Sequence, residues 1–259
     1  MIDFHNHVLP DLDDGSKSME MTLNMLKTAS EQGITTIINT VHFQHPKMEG
    51  KNTDYEYVKD LRDTVLKEAK NQNIEIDIKL AAEVYYLPNL CDLINNPLLT
   101  INNYMLVEFP MMIMPENYLD TFFNLKLKGI TPILAHPERY RSFQEDIDKL
   151  QKCIDMDIIL QIDAGSIVGH FGKQTKDMAL KMLSKGYCHI IGSDSHNDTK
   201  RNFCLRDAYD LISSYNDKII DQLKENSRLL IEGEGEISQV KVDMMGGFLR
   251  SLKKKFKIT

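Results

Sequence analysis

The 259 residues carry 31 Lys and Arg against 38 Asp and Glu, a formal charge of −7, with 42% hydrophobic and 27% charged residues. This balance is ordinary for a globular chain and leaves collagen-like, disordered and membrane-spanning classes without support. The acidic excess disfavours nucleic acid, whose phosphates are held mainly by Lys and Arg; no apolar run approaches the ~18 residues of a membrane span, the start MIDFHNHVLPDLDDG is unlike a secretory signal, and a cytoplasmic protein is expected.

From the N-terminus, Ile2–Phe4 reads as a short strand. After the Asp14-Gly15-Ser16 cap region, Met19, Leu23, Leu26 and Ala29 fall at helical spacing; Gly33 ends that run before the β-branched segment Ile34–Thr40, which leads into Val41-His42. A second helix is predicted from about Tyr55 to Lys70, and Ile74, Ile76, Ile78 and Leu80 then alternate as a strand that delivers Glu83. Tyr104–Val107 leads into Glu108, Thr131–Ala135 into His136, Ile158–Ile162 into Asp163, and His189–Ile191 into Asp194 and His196. Helical patterns lie between these runs, and strands alternating with helices imply a parallel sheet. Seven strands that each run into His, Asp or Glu point to an α/β fold, a distorted seven-stranded (β/α) barrel, because the loops after parallel strands converge on one face. An open doubly wound sheet is the competing architecture, but no Gly-x-Gly-x-x-Gly follows any strand to support it. No internal repeat or low-complexity linker divides the chain.

His5 and His7 flank one residue of extended backbone, which turns both imidazoles to the same side and lets them chelate one metal. His42, Glu83, Glu108, His136, Asp194 and His196 occupy equivalent strand ends, and Asp13-Asp14-Gly15 lies in the first loop. Eight histidines scattered at random would not place five at the ends of predicted strands. Imidazole and carboxylate without Cys suits Zn²⁺, Mn²⁺ or Fe²⁺. A protein nucleophile is hard to find: the residues six after the four cysteines are Pro97, Ile159, Asp194 and Asp210, which excludes Cys-x5-Arg chemistry, and no Gly-x-Ser-x-Gly elbow is present. The cysteines lack paired spacing and read as reduced thiols. Arg139, directly after His136-Pro137-Glu138, and Arg201, five residues after His196, are the cations beside these motifs, and guanidinium forks match the oxygens of an anion. His45 and His170 read as loop histidines, His189 as a core residue, Met111, Met112 and Met114 as packing under a barrel mouth, and Gly165-Ser166 as a turn.

The start MIDFHNHVLPDLDDGS, Thr40-Val41-His42, Ala82-Glu83-Val84, Val107-Glu108-Phe109-Pro110, Leu134-Ala135-His136-Pro137-Glu138-Arg139 and Gly192-Ser193-Asp194-Ser195-His196-Asn197 together resemble the polymerase-and-histidinol-phosphatase (PHP) superfamily. More narrowly, they resemble its bacterial protein-tyrosine phosphatases of capsule and exopolysaccharide synthesis. The resemblance covers roughly residues 1–230; Asn6 and Val41 depart from it, standing where relatives often carry Cys and Pro. It implies three divalent metal ions, with Mn²⁺ expected and Fe²⁺ or Zn²⁺ as alternatives. By the resemblance His5, His7, Glu83 and Asp194 would hold one ion, Glu83, Glu108 and His136 a second, and Asp14, His42 and His196 a third, while Arg139 and Arg201 would bind the phosphate. Three ions carry +6 against −4 from Asp14, Glu83, Glu108 and Asp194, leaving +2 for a phosphate dianion or a bridging hydroxide.

The expected function is hydrolysis of phosphotyrosine on proteins by attack of a metal-bridging hydroxide, the substrate being a bacterial tyrosine autokinase that controls capsule or exopolysaccharide synthesis. Phenolate is an easy leaving group, since tyrosine has a pKa of ~10. The alternatives are a histidinol-phosphate phosphatase and a non-catalytic, metal-stabilised phosphotyrosine-binding module; a proofreading nuclease of the same superfamily is disfavoured by the charge. The expected organisation is a phosphatase domain over 1–230 and a C-terminal extension over 231–259. In that extension Phe248, Leu249, Leu252 and Phe256 interleave with Arg250, Lys253, Lys254, Lys255 and Lys257. Such a basic amphipathic end can lie on an anionic membrane, which would place the enzyme at the inner face of the membrane.

Overall fold

A computed structural model describes residues 1–48 and 50–243. Seven parallel strands follow one another in sheet order as they do in sequence: β1 (Ile2–Asn6), β2 (Thr36–Phe43), β3 (Asp77–Tyr85), β4 (Tyr104–Glu108), β5 (Thr131–Ala135), β6 (Ile159–Asp163) and β7 (Ile190–Gly192). The barrel closes just past β7, where Asp194 N donates to His5 O at 2.7 Å and His7 N to Ser195 O at 2.8 Å. Around it run α1 (Met19–Glu31), α2 (Tyr55–Asn71), α3 (Tyr118–Leu127), α4 (Arg141–Glu145), α5 (Gln151–Ile154), α6 (Ala164–Val168), α7 (Lys173–Lys185), α8 (Leu205–Ser213) and α9 (Lys218–Glu232).

Strand alternation assigns the two faces of the sheet. Outward residues such as Ile37, Val41, Ile78, Val84, Met105, Val107, Leu134, Leu160 and Ile191 pack with the buried stripes of the helices, for example Leu23, Leu26 and Ala29 of α1. Each such side chain contributes about 1.5–3 kcal/mol by leaving water. The inward residues Phe4, Ile38, Ala81, Leu106, Ile133, Ile159 and Ile190 form a second apolar cluster inside the barrel, which Leu230 at the end of α9 joins. Further along the same strands the inward positions turn polar, to His42, Glu83, Glu108, Gln161 and Asp163, so the barrel is dry at one end and chemically equipped at the other.

The expected seven-stranded barrel is the observed one, and the strand limits differ in an instructive way. Ile74 and Ile76 precede β3 because Ile74 N closes α2 on Ala69 O; the strand runs on to Tyr85 and so contains Glu83. The α1 cap is Ser18, whose hydroxyl accepts from Met21 N at 3.2 Å, rather than the segment around Ser16. Gly165 and Ser166 lie in the short helix α6, not in a turn. The 230/231 division falls inside α9, and beyond it Val240 and Val242 are buried, with Val240 N donating to Cys188 O at 2.7 Å. The basic amphipathic end from Phe248 to Lys257 lies outside the described residues.

β1 carries an irregularity with consequences for the site. Asp3 pairs with Ile37 and Asn6 with Asn39, so three steps on β1 oppose two on β2. A bulge of this kind puts consecutive residues on one face, which is how Phe4 joins the inner apolar cluster while His5, its neighbour, also turns inward. Gly192 makes room for that turn: a Cβ there would lie 2.6 Å from His5 Cβ and 3.1 Å from His5 N. Gly192→Ala is therefore expected to lower stability in urea unfolding by about 1–3 kcal/mol, the usual cost of forcing a methyl into a filled space; a variant as stable as the parent would contradict this packing.

Candidate metal centre

The polar end of the barrel is organised around Glu83. Its Oε2 lies 3.1 Å from His5 Nε2, 3.3 Å from His7 Nε2 and 3.2 Å from His42 Nδ1, while Oε1 meets His136 Nε2 at 2.9 Å. On the β7 side, Asp194 Oδ1 is 3.5 Å from both His5 Nε2 and His7 Nε2 and 3.3 Å from His196 Nδ1. Asp14 Oδ1 reaches across from the first loop to His42 Nε2 at 3.3 Å and His196 Nε2 at 3.2 Å. Glu108 stands at the edge, with Oε2 3.8 Å from His42 Nδ1 and Oε1 3.9 Å from His136 Nε2. All nine expected ligands thus lie at one end of the barrel, and all but Asp14 are buried.

Among the described residues, three overlapping groups have donor atoms within 4.8 Å of one another: His5, His7, Glu83 and Asp194; His7, Asp14, His42 and His196; and His42, Glu83 and Glu108. The first is the set the resemblance implied. The second adds His7 to the implied three, and in the third His42 stands where His136 was expected, with His136 facing the same two carboxylates through Nε2.

The donors fit divalent cations better than they fit one another. Glu83 Oε2, although close to three imidazole nitrogens, makes no aligned hydrogen bond among the described residues, and Glu108 Oε2 and His42 Nδ1 are likewise buried without a hydrogen-bond partner among them. Buried polar atoms left unpaired are costly, and lone pairs that converge without a proton between them suit a cation. The far edges of the rings are anchored: His7 Nδ1 lies 2.7 Å from Asp13 Oδ2 and His5 Nδ1 3.0 Å from Gln161 Oε1, which aims both Nε2 atoms inward. Asp13 Oδ2 also accepts from His42 N at 3.0 Å, and its Oδ1 from Gly15 N at 2.9 Å. His136 and Asp194 hold left-handed backbone conformations, φ 34° and 50°, a strain that collects at functional sites.

Electrostatics follow from packing these charges out of water. Burial alone would push the His5 imidazole down, but the Glu83 and Asp194 carboxylates outweigh it and hold His5 at about 9. Burial also works against Glu83 and Asp194, and the groups facing them overcome it: the His5 and His42 rings beside Glu83, and the His196 ring and Arg201 guanidinium beside Asp194, hold both carboxyls well below the usual carboxylate range. Glu108 goes the other way, pushed well up by burial and then by the negative charge of Glu83 and Asp194.

Both expected phosphate-binding arginines border this cluster. Arg139 closes the single turn Pro137–Arg139 after β5, and its Nη1 donates to Asp163 Oδ2 at 3.0 Å and to Asp194 Oδ2 at 2.6 Å. Arg201 is brought beside His196 by a tight loop in which its carbonyl accepts from His196 N at 2.8 Å; its Nη2 donates to Asp194 Oδ2 at 2.5 Å. Arg201 Nε is buried and makes no hydrogen bond among the described residues. Asp194 therefore offers one oxygen to the histidines and the other to the arginines.

The sequence places Asp13 beside Asp14 in the first loop but gives it no role of its own, and nothing in it singles out Gln161, two residues before Asp163 on the same strand face. His45, read as a loop residue, has its ring 4.7 Å from that of His42 and Nε2 3.8 Å from Glu108 Oε2. His170 is exposed, and His189 is buried, its Nδ1 accepting from Leu160 N at 3.0 Å. Met111 and Met114 pack partly against the core, whereas Met112 is exposed. The four cysteines are free, and three are buried.

A parallel β/α barrel with histidines and carboxylates gathered at the C-terminal ends of its strands defines a protein of the metal-binding barrel class. A sequence profile described as capsular polysaccharide synthesis, CpsB/CapC, matches residues 1–232, and the chain belongs to that family. It is 34% identical over 238 residues to the tyrosine-protein phosphatase YwqE of Bacillus subtilis, covering 90% of this chain and 92% of that protein. Identity to the tyrosine-protein phosphatase CpsB of Streptococcus pneumoniae is 31% over 221 residues, covering 82% and 90%. A crystal structure from work on YwqE and CpsB, described there as metal-dependent tyrosine phosphatases, superposes with a TM-score of 0.87 at 32% identity, over 92% of this chain and 97% of that one. The histidinol phosphate phosphatase of Lactococcus lactis shares the fold alone, with a TM-score of 0.53 at 15% identity over 93% and 98%.

The pKa of His5 sets the sign of a stability change with pH. A group raised from 6.5 to about 9 on folding stabilises the metal-free protein fully below pH 6.5 and loses that contribution as pH rises through 9. Chelated protein is thus expected to lose on the order of 2–3 kcal/mol between pH 6.5 and 9. Protein loaded with divalent cations, which displace that proton, should show no such loss. Melting curves at the two pH values, with and without chelator, check this; parallel behaviour of the two forms would count against it.

Proposed function

We propose that this chain is a metal-dependent protein-tyrosine phosphatase. The single observation that carries the reading is Asp194, which joins the cation-binding cluster to two arginines through its two oxygens, in a chain whose relatives YwqE and CpsB are tyrosine-protein phosphatases. Three overlapping ligand groups support three ions, and their nitrogen and oxygen donors without sulfur suit Mn²⁺, with Fe²⁺ or Zn²⁺ as substitutes. His5, His7, Asp14, His42, Glu83, Glu108, His136, Asp194 and His196 would hold them.

Divalent ions bound there would supply Lewis acidity and a water activated at neutral pH. Arg139 and Arg201 bind the phosphoryl oxygens and stabilise the charge that grows on them during transfer. Arg201 Nε, buried and without a hydrogen-bond partner among the described residues, is a donor that a bound anion can satisfy. Asp13 and Gln161 fix His7 and His5 by their Nδ1 edges. A phenolate leaves with little help from an acid, which fits a phosphotyrosine protein. The finer partner is a tyrosine autokinase of capsule or exopolysaccharide synthesis, in keeping with the family. No described helix is long and apolar enough to cross a membrane. The composition supports a cytoplasmic enzyme whose catalytic unit, expected over 1–230, also takes in the rest of α9 and the segment through Val242, with the basic end from Phe248 to Lys257 meeting the inner membrane surface.

Activity on phosphotyrosine peptides is expected to vanish on chelation and to return with Mn²⁺, and thiol alkylation should leave it intact. Arg139→Ala should lower turnover by about 10²-fold, the scale of losing one preorganised charge stabiliser, with metal content retained. Steady-state kinetics on phosphotyrosine peptides and on histidinol phosphate, at matched metal loading, decide the substrate. A higher kcat/KM for histidinol phosphate would replace this reading with the alternative one.

A further inference from the structure

Phe171 has no part in the cation cluster, yet its ring lies against both arginines. The guanidinium carbon of Arg139 is 4.6 Å from the ring centroid and that of Arg201 is 5.7 Å from it. Both are within the ~6 Å over which the face of an aromatic ring attracts a cation. One ring therefore serves two cations that come from different parts of the chain, one after β5 and the other after β7.

The backbone around Phe171 is shaped to hold the ring there. Gly169 and Gly172 bracket it at φ 101° and 88°, conformations that L side chains rarely adopt. Gly165, in α6, lies under the ring: a Cβ on it would sit 2.9 Å from Phe171 Cε2. The arginines are held by their edges elsewhere, Arg139 on Asp163 Oδ2 and both on Asp194 Oδ2. An anion that draws those edges away from Asp194 leaves the faces still resting on Phe171. Without such a support, ordering two long side chains around a ligand would cost affinity.

We propose that Phe171 is a positioning residue that preorganises Arg139 and Arg201 as a phosphate clamp by lying against both guanidinium groups. This rests on the reading of those arginines as the phosphate-binding groups. Phe171 does not touch the reacting atoms and acts only through the arginines. Ring electrostatics, and not apolar volume alone, should then set the affinity for phosphate.

The test compares the Mn²⁺-loaded full chain carrying Phe171 with Phe171→Leu and with Phe171 replaced by pentafluorophenylalanine, which keeps the ring but reverses the charge of its face. Calorimetric titration with inorganic phosphate is expected to show about tenfold weaker binding in both variants, the scale of a lost pair of cation–π contacts. Metal content should be unchanged. On phosphotyrosine peptides KM should rise more than kcat falls. Phosphate affinity within twofold of the parent for either variant, the pentafluoro chain above all, would overturn the proposal and leave Phe171 a packing residue. A parent chain that binds phosphate but does not turn over phosphotyrosine peptides would sink the tyrosine-phosphatase reading and leave the role of Phe171 standing.

Discussion

The structure depends on keeping one carboxylate, Glu83, ionised while fully surrounded by protein. An isolated buried charge is expensive enough that it neutralises or finds partners, and Glu83 finds four imidazoles, from His5, His7, His42 and His136. Those rings arrive from β1, β2 and the segments just after β1 and β5, so the carboxylate meets all four only if the barrel closes with these strands in their observed order. Fold and site are in this sense one constraint: the apolar inner cluster brings the strands together, and the polar ring above it requires a particular register.

The bulge in β1 shows how narrow that requirement is. In a regular strand, Phe4 and His5 would face opposite sides, and one of the two inner clusters would lose its member. The extra residue between Asp3 and Asn6 lets Phe4 fill the apolar interior and His5 and His7 enter the polar end. Gly192 then has to lack a side chain, since β7 passes against His5 at the seam. Asn39 fixes what comes next, its side-chain oxygen accepting from Val8 N at 3.0 Å and Leu9 N at 3.1 Å, so the loop carrying Asp13 and Asp14 leaves the barrel in a defined direction.

Asp194 links this cluster to the anion-binding side. Its two oxygens face different groups, histidines on one and guanidiniums on the other, so the charge that steadies the cation ligands also orients the arginines. Glu138, buried behind Arg139, accepts from Asp163 N at 3.0 Å and from Ser166 Oγ at 2.6 Å, and thereby ties the turn after β5 to the start of α6. The site is thus braced by contacts between neighbouring β-to-α connections, the part of a barrel where chemistry can vary without disturbing the packed layers.

By itself the sequence determined the class of fold, the strand count and which residue types stand at the ends of strands, because alternation and helical spacing are local and survive in the one-dimensional record. Glu83, Glu108, His136 and Asp194 could be picked out for that reason. Tertiary structure alone decided which of these share a cation group, as with His42 joining Glu83 and Glu108, because ligand grouping depends on distances across the barrel between residues far apart in the chain. It also decided the roles of Asp13, Gln161, His45 and Phe171. Their residue types are common in loops and strands and carry no local signal; what gives them meaning is the ring, carboxylate or guanidinium that strand closure sets beside them.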